Sequence, residues 1–120
     1  MKGSQLLIVS ISCFAISCVS RTHDSLFRLV PPGRSNIEFD NRIIENDTIN
    51  PFDVINMYNG AGVGIGDFNN DGYLDIYFAG NQVACRLYLN KKNLEFRDVT
   101  PVANVNGNGK WCRGVAVVDI

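Results

Sequence analysis

The chain has 120 residues with 11 basic and 12 acidic side chains, a net charge of -1. That length allows one domain at most, and the balanced charge lacks the basic footprint of a nucleic-acid binder. Hydrophobic residues make up 46%, but an apolar N-terminal run inflates the figure, and the roughly 100 residues beyond it bury little core for their size.

Residues 1–18 read as an address. Lys2 supplies a positive start, and Leu6–Ile16 is apolar apart from Ser10, Ser12 and Cys13. The run is too short to span a bilayer and suits a signal-peptide core. Its end, Ala15-Ile16-Ser17-Cys18, resembles a bacterial lipobox, in which Cys18 would receive lipid and become the new N-terminus; leucine is commoner where Ala15 stands. Ordinary secretion, with cleavage near Ser17 or Ser20, is the alternative. Either route implies an oxidising compartment outside the cytoplasm, and such a compartment permits disulfides. The expected location is the bacterial cell envelope, at the outer membrane or cell surface, with a lipid anchor.

Residues 19–59 read as a tether followed by an irregular, edge-strand segment. Phe27–Val30 alternates and is expected to form a short strand that Pro31-Pro32-Gly33 breaks. Ile37-Glu38-Phe39 alternates again and is expected to pair at a sheet edge. Pro51 is expected to open a helical turn through Asp53 and Val54.

Residues 60–100 carry four extended runs in close order: Gly62–Phe68, Leu74–Ala79, Arg86–Asn90 and Leu94–Val99. Leu87 and Leu89 fall on one face of the third; Leu94, Phe96 and Asp98 share a face of the fourth. Four antiparallel strands joined by tight turns form a meander, the unit of a β-propeller blade. Residues 101–120 then begin the pattern again. Arg113–Ile120 echoes Ala61–Phe68, with Gly114, Val115 and Asp119 in the places of Gly62, Val63 and Asp67. A repeat period of 52 residues (114 − 62) marks a solenoid or propeller array. The expected fold is therefore all-β: one four-stranded antiparallel blade plus the first strand of a second. A single blade cannot bury both its faces, so an incomplete propeller is expected, as the N-terminal piece of a longer protein or a truncated reading frame.

Between the first two runs lies Asp67-Phe68-Asn69-Asn70-Asp71-Gly72-Tyr73-Leu74-Asp75. Asp67, Asn69, Asp71 and Asp75 offer side-chain oxygens, and Gly72 permits the sharp turn. Such a loop can wrap a hard cation, and Ca²⁺ takes six to eight oxygens. An EF-hand needs a bidentate Glu at the twelfth position, where this chain has Phe78. A metal-free turn remains open, because Asn, Asp and Gly all favour turns, although three Asp so close repel unless a cation or hydrogen-bond donors compensate.

The run from Gly62 to Tyr77 resembles an FG-GAP/VCBS repeat, the calcium-binding blade also found in integrin α-subunit propellers. Tyr58-Asn59-Gly60, Gly80-Asn81-Gln82, Leu87-Tyr88-Leu89-Asn90 and Phe96-Arg97-Asp98-Val99-Thr100 narrow the resemblance to bacterial ASPIC/UnbV-type proteins, related to cartilage acidic protein. Those are exported, often lipid-anchored proteins with multi-blade propellers. The resemblance implies Ca²⁺ held by Asp67, Asn69, Asp71 and Asp75 through side chains and by Tyr73 through its carbonyl, with affinity in the ~10⁻⁴–10⁻³ M range of extracellular modules. Mg²⁺ suits a flexible all-protein cage less well.

Cys85 and Cys112 are candidates for a disulfide joining the blade to the next repeat, with two unpaired core residues as the alternative. His23 reads as solvated surface, and Lys91-Lys92 as a charged turn. The sequence has no evident nucleophile–base pair, no phosphate-binding glycine loop before a helix and no His-containing metal cluster. The expected role is non-catalytic: binding of a protein or glycan ligand, adhesion, or scaffolding. The alternative is an accessory module of an exported enzyme or polymer-uptake system whose active part lies elsewhere.

Overall fold

A computed structural model of the chain describes residues 25–118. The signal segment with Cys18, the tether with His23, and Asp119 lie outside the described residues. Four short strands are present: β1 (Val63–Gly66), β2 (Asp75–Phe78), β3 (Arg86–Asn90) and β4 (Phe96–Asp98). They pair antiparallel in the order β1-β2-β3-β4, the meander expected of a blade. Among the described residues no helix is long and apolar enough to cross a membrane.

Register divides the side chains between two faces. Val63 lies opposite Phe78, which lies opposite Arg86; Ile65 opposes Ile76, which opposes Tyr88 and then Asp98. These residues share one face with Phe96. The other face carries Gly64, Tyr77 and Leu87, with Leu89 opposite Arg97. The alternation follows from the period-two geometry of strands, and it places Leu87 and Leu89 together, and Phe96 with Asp98, as their spacing implied.

Each face is covered by chain from outside the sheet. Over the first face, Phe39 stacks on Phe78 with centroids 4.9 Å apart, and Phe78 meets Tyr88 edge-on at 5.8 Å. Aromatic pairs of this geometry add about 0.5–1.5 kcal/mol beyond their buried area. Val30, Pro32, Ser35 and Ile37 line a groove with Ile76, Leu94 and Phe96 on the same side. Neither Phe27–Val30 nor Ile37–Phe39 pairs as a strand. Pro32–Ser35 instead forms a one-turn helix, α1, closed by Asn36 in the left-handed region. Pro32 at its first turn has no N–H to lose there, and α1 turns the chain so that Ile37 and Phe39 can lie across the sheet. The turn at Pro51 is present. Asp53 and Val54 donate to Asn50 O at 3.2 and 2.9 Å, and the Asn50 side chain caps the Phe52 N–H at 2.9 Å.

Over the second face runs the chain after β4. A second one-turn helix, α2 (Thr100–Ala103), follows directly. Thr100 Oγ1 accepts the Leu87 N–H at 2.9 Å, and the Val99 N–H donates to Leu87 O at 2.9 Å, so β3 is finished by backbone and side chain together. Tyr77 donates its hydroxyl to Val105 O at 2.9 Å. Residues 113–118 then cross β1 on the glycine side without a ladder of their own. A Cβ added at Gly62 would sit 2.6 Å from Val115 N, and one at Gly64 would meet Val115 Cγ1. The expected first strand of the second repeat is thus packed as a face partner rather than hydrogen-bonded to β1. Among the described residues the buried apolar ones are Met57, Ala79, Cys85, Leu87, Tyr88 and Phe96.

Asn81 ties these layers together. It is 3% exposed, and every polar group of its side chain is used. Oδ1 accepts from Asn41 Nδ2 at 2.7 Å, and Nδ2 donates to Cys112 O at 2.9 Å; its N–H donates to Asn41 Oδ1 at 3.0 Å. Beside it, Gln82 exchanges two hydrogen bonds with the backbone of Ile44.

Asp98 links β4 to α2 and to β3. One oxygen caps the Thr100 N–H at 2.8 Å, and the other meets Arg86 Nη1 at 2.9 Å. Burial pushes its carboxyl up, but the Thr100 hydrogen bonds and the Arg86 charge outweigh burial and hold it below its ordinary 3.8. A depressed carboxyl stabilises the fold above that unfolded value, and the benefit disappears as pH falls through the folded value. Melting temperature is therefore expected to drop as pH is lowered below about 4, and Asp98→Asn should flatten the drop. An identical acid profile in the variant would refute the role given to Asp98.

Candidate metal centre

The loop joining β1 to β2 is the acidic stretch, and its hairpin position follows from the pairing of Gly66 with Asp75. Asn70 and Gly72 take left-handed conformations, with φ of 58° and 84°. Gly72 adopts this without steric cost, and Asn is the side chain that tolerates it best. The loop folds back so that its oxygens converge. Asp67 Oδ1 and Asn69 Oδ1 both accept the Asp71 N–H, at 3.0 and 3.1 Å. Asp67 Oδ2 accepts the Gly72 N–H at 2.8 Å. Asp71 Oδ1 accepts the Tyr73 N–H at 3.0 Å, and Asp71 Oδ2 accepts from Asn69 Nδ2 at 2.8 Å. The Gly72 hydrogen bond is the leading cause that holds the Asp67 carboxyl below its ordinary value.

Asp75 behaves differently. It is fully buried, at 0% exposure. Its Oδ2 accepts the Phe68 N–H at 2.9 Å and its Oδ1 the Asn90 N–H at 2.8 Å. Phe68 lies two residues past the end of β1, and Asn90 is the last residue of β3. One carboxylate therefore closes both the hairpin and the β2–β3 edge. Asn90 returns the link, donating its side-chain amide to Leu74 O at 2.9 Å.

The expected ligand residues thus fall into two groups. Asp67, Asn69 and Asp71 share one exposed turn. Tyr73 is also exposed, its ring covered by Lys92 Nζ at 4.9 Å from the centroid. Asp75 stands inside the sheet. Among the described residues, no group of three or more His, Cys, Asp or Glu side chains is gathered to hold a metal ion. The crowded carboxylates are compensated here by N–H donors. The donor set still suits a hard cation: all its atoms are oxygen, and each carboxylate oxygen keeps a second lone pair after accepting one N–H. Asn81 and Asn90 entered the sequence reading only as parts of the motifs that carry the resemblance, with no structural role assigned; a single Asn at the end of a strand or the start of a turn does not by itself show which backbone groups it will hold.

Residues 67–120 match the FG-GAP-like repeat. No curated protein and no solved structure matches the chain. The FG-GAP-like match begins at Asp67, the first residue of the acidic loop, and takes in β2, β3, β4, α2 and the segment that crosses β1. The match covers 54 of the 120 residues, and the four-stranded antiparallel sheet of the described residues is consistent with a blade of such a repeat.

Proposed function

We propose that this FG-GAP-like blade is clipped by calcium and serves an exported, lipid-anchored protein in a non-catalytic role: binding of a protein or glycan ligand, adhesion, or scaffolding. The observation that carries the calcium reading is the convergence of Asp67 Oδ1 and Asn69 Oδ1 on one N–H, within a solvent-exposed turn that also holds the Asp71 carboxylate. Asp67, Asn69 and Asp71 would hold the ion with the Tyr73 carbonyl, and a remaining lone pair of Asp75 would complete the set from within. Calcium would supply positive charge to a loop otherwise held by N–H donors alone, fixing β1 against β2. The lipobox-like Ala15–Cys18 supports anchoring through Cys18 at the cell envelope. The ASPIC/UnbV-like features in 58–60 and 80–100 support kinship with that exported group.

Calorimetric titration of the full chain with calcium chloride should show one site with Kd of about 10⁻⁴–10⁻³ M. Asp71→Ala should abolish the heat while leaving the far-ultraviolet spectrum of the sheet in place. Binding that survives Asp71→Ala unchanged would overturn the ligand assignment.

A further inference from the structure

Cys85 and Cys112 are brought together by hydrogen bonds around the turn after β2. The Cys85 N–H donates to Asn106 O at 3.0 Å, and the Cys112 N–H donates to Gly80 O at 3.0 Å. Asn81 holds the Cys112 carbonyl from the same turn. The sulfurs then converge beside Gly107: a Cβ added there would lie 2.8 Å from Cys85 Sγ and 3.4 Å from Cys112 Sγ. Gly107, with φ of 79°, leaves that space open. Both cysteines are present as thiols.

The two thiols are unequal. Cys85 is 1% exposed, and its sulfur accepts the Gly80 N–H at 3.4 Å. Cys112 is half-buried. Burial pushes the Cys85 thiol up, but the Gly80 N–H, Tyr77 and Cys112 together outweigh it and hold the thiol below its ordinary value. The Cys112 thiol is raised, first by its hydrogen bond to Cys85 and then by burial.

We propose that Cys85 and Cys112 form a disulfide clip that fastens the segment crossing β1 to the start of β3, and that a low-molecular-weight disulfide loads it through Cys112. The Cys112 thiolate attacks the small disulfide, forming a mixed disulfide and releasing one small thiolate. Cys85, as thiolate, then attacks Cys112 Sγ. The protein disulfide forms, and the second small thiolate leaves. The small disulfide takes two electrons, and the two protons lost by the cysteines go to the released thiolates. The order follows from access, since an incoming disulfide reaches half-buried Cys112 before enclosed Cys85. The inference depends neither on calcium nor on where the chain resides.

The test uses the full chain, folded and reduced, exposed to glutathione disulfide, quenched with an alkylating agent and mapped by mass spectrometry. Cys13 and Cys18 report on their own peptide, separate from the pair in question. The expected product joins the Cys85 and Cys112 peptides, and it melts about 10 °C or more above the reduced chain. Cys85→Ser should trap one glutathione on Cys112, whereas Cys112→Ser should leave Cys85 unmodified until urea is added. Recovery of both cysteines alkylated after oxidation of the native chain would overturn the clip. Glutathione found on Cys85 of the folded Cys112→Ser chain would overturn the order of attack. The native-chain map stands alone if either variant fails to fold.

Discussion

Asp75→Ala should cost about 3–5 kcal/mol, because it strands two backbone N–H groups that a buried carboxylate now holds, and hydrogen bonds to a charged group contribute roughly 1.5–3 kcal/mol each. The stranded donors are those of Phe68 and Asn90, at 2.9 and 2.8 Å. A small domain commonly has only about 5–15 kcal/mol in total, so the variant should lose most of its cooperative melting transition. Asp75→Asn should fall between the two. Its one carbonyl oxygen can still accept, while its amide nitrogen would face an N–H. Melting in the presence of a chelator separates this role from metal binding, since the two hydrogen bonds need no ion. A variant that melts like the parent under chelation would refute it.

The second large effect is expected at Gly62. A Cβ there would sit 2.6 Å from Val115 N and 2.8 Å from two backbone carbons of Gly114. Backbone atoms cannot rotate aside as a side-chain tip can, so Gly62→Ala should lift the crossing segment off β1. Overpacking of this kind costs about 1–3 kcal/mol. Limited trypsin digestion should cut after Arg113 sooner in the variant while β2 and β3 stay intact. Gly114→Ala is the control, because a Cβ at Gly114 meets nothing within 4 Å. Equal cleavage rates in Gly62→Ala and parent would show that the contact carries no weight.

The four strands could be read from the chain because each joins a period-two pattern to a turn of Gly, Asn or Lys, and those signals are local. The third matches β3 at both ends, while the ends of the other three were overrun by one or two residues: the reading carried the first strand to Phe68, whereas β1 stops at Gly66. Phe68 looks like strand by composition, but its N–H turns back to Asp75 and leaves the ladder. The segments that cover the faces were harder to place. Phe27–Val30 and Ile37–Phe39 alternate as strands do, yet neither pairs with the outer edge of β1 or β4. The register of Phe39 over Phe78 shows that the chain was drawn to a face instead. Within the site, spacing identified Asp67, Asn69 and Asp71 as one group because they sit on a single turn. It could not separate Asp75 from them, since inward or outward orientation is decided by what the neighbouring strand offers, here the Asn90 N–H.

Gly62, Gly64 and Gly66 all have ordinary backbone angles, so each could carry a side chain as far as its own conformation is concerned. What excludes one is the chain lying against them. These three positions therefore record the presence of a neighbour and not the shape of the strand that bears them. Gly114, at the place in the pattern where Gly62 stood, has open space around it. The same residue type in the same motif is thus constrained at one position and free at the other, so substitution at Gly62 reads the packing of residues 113–118 and substitution at Gly114 does not.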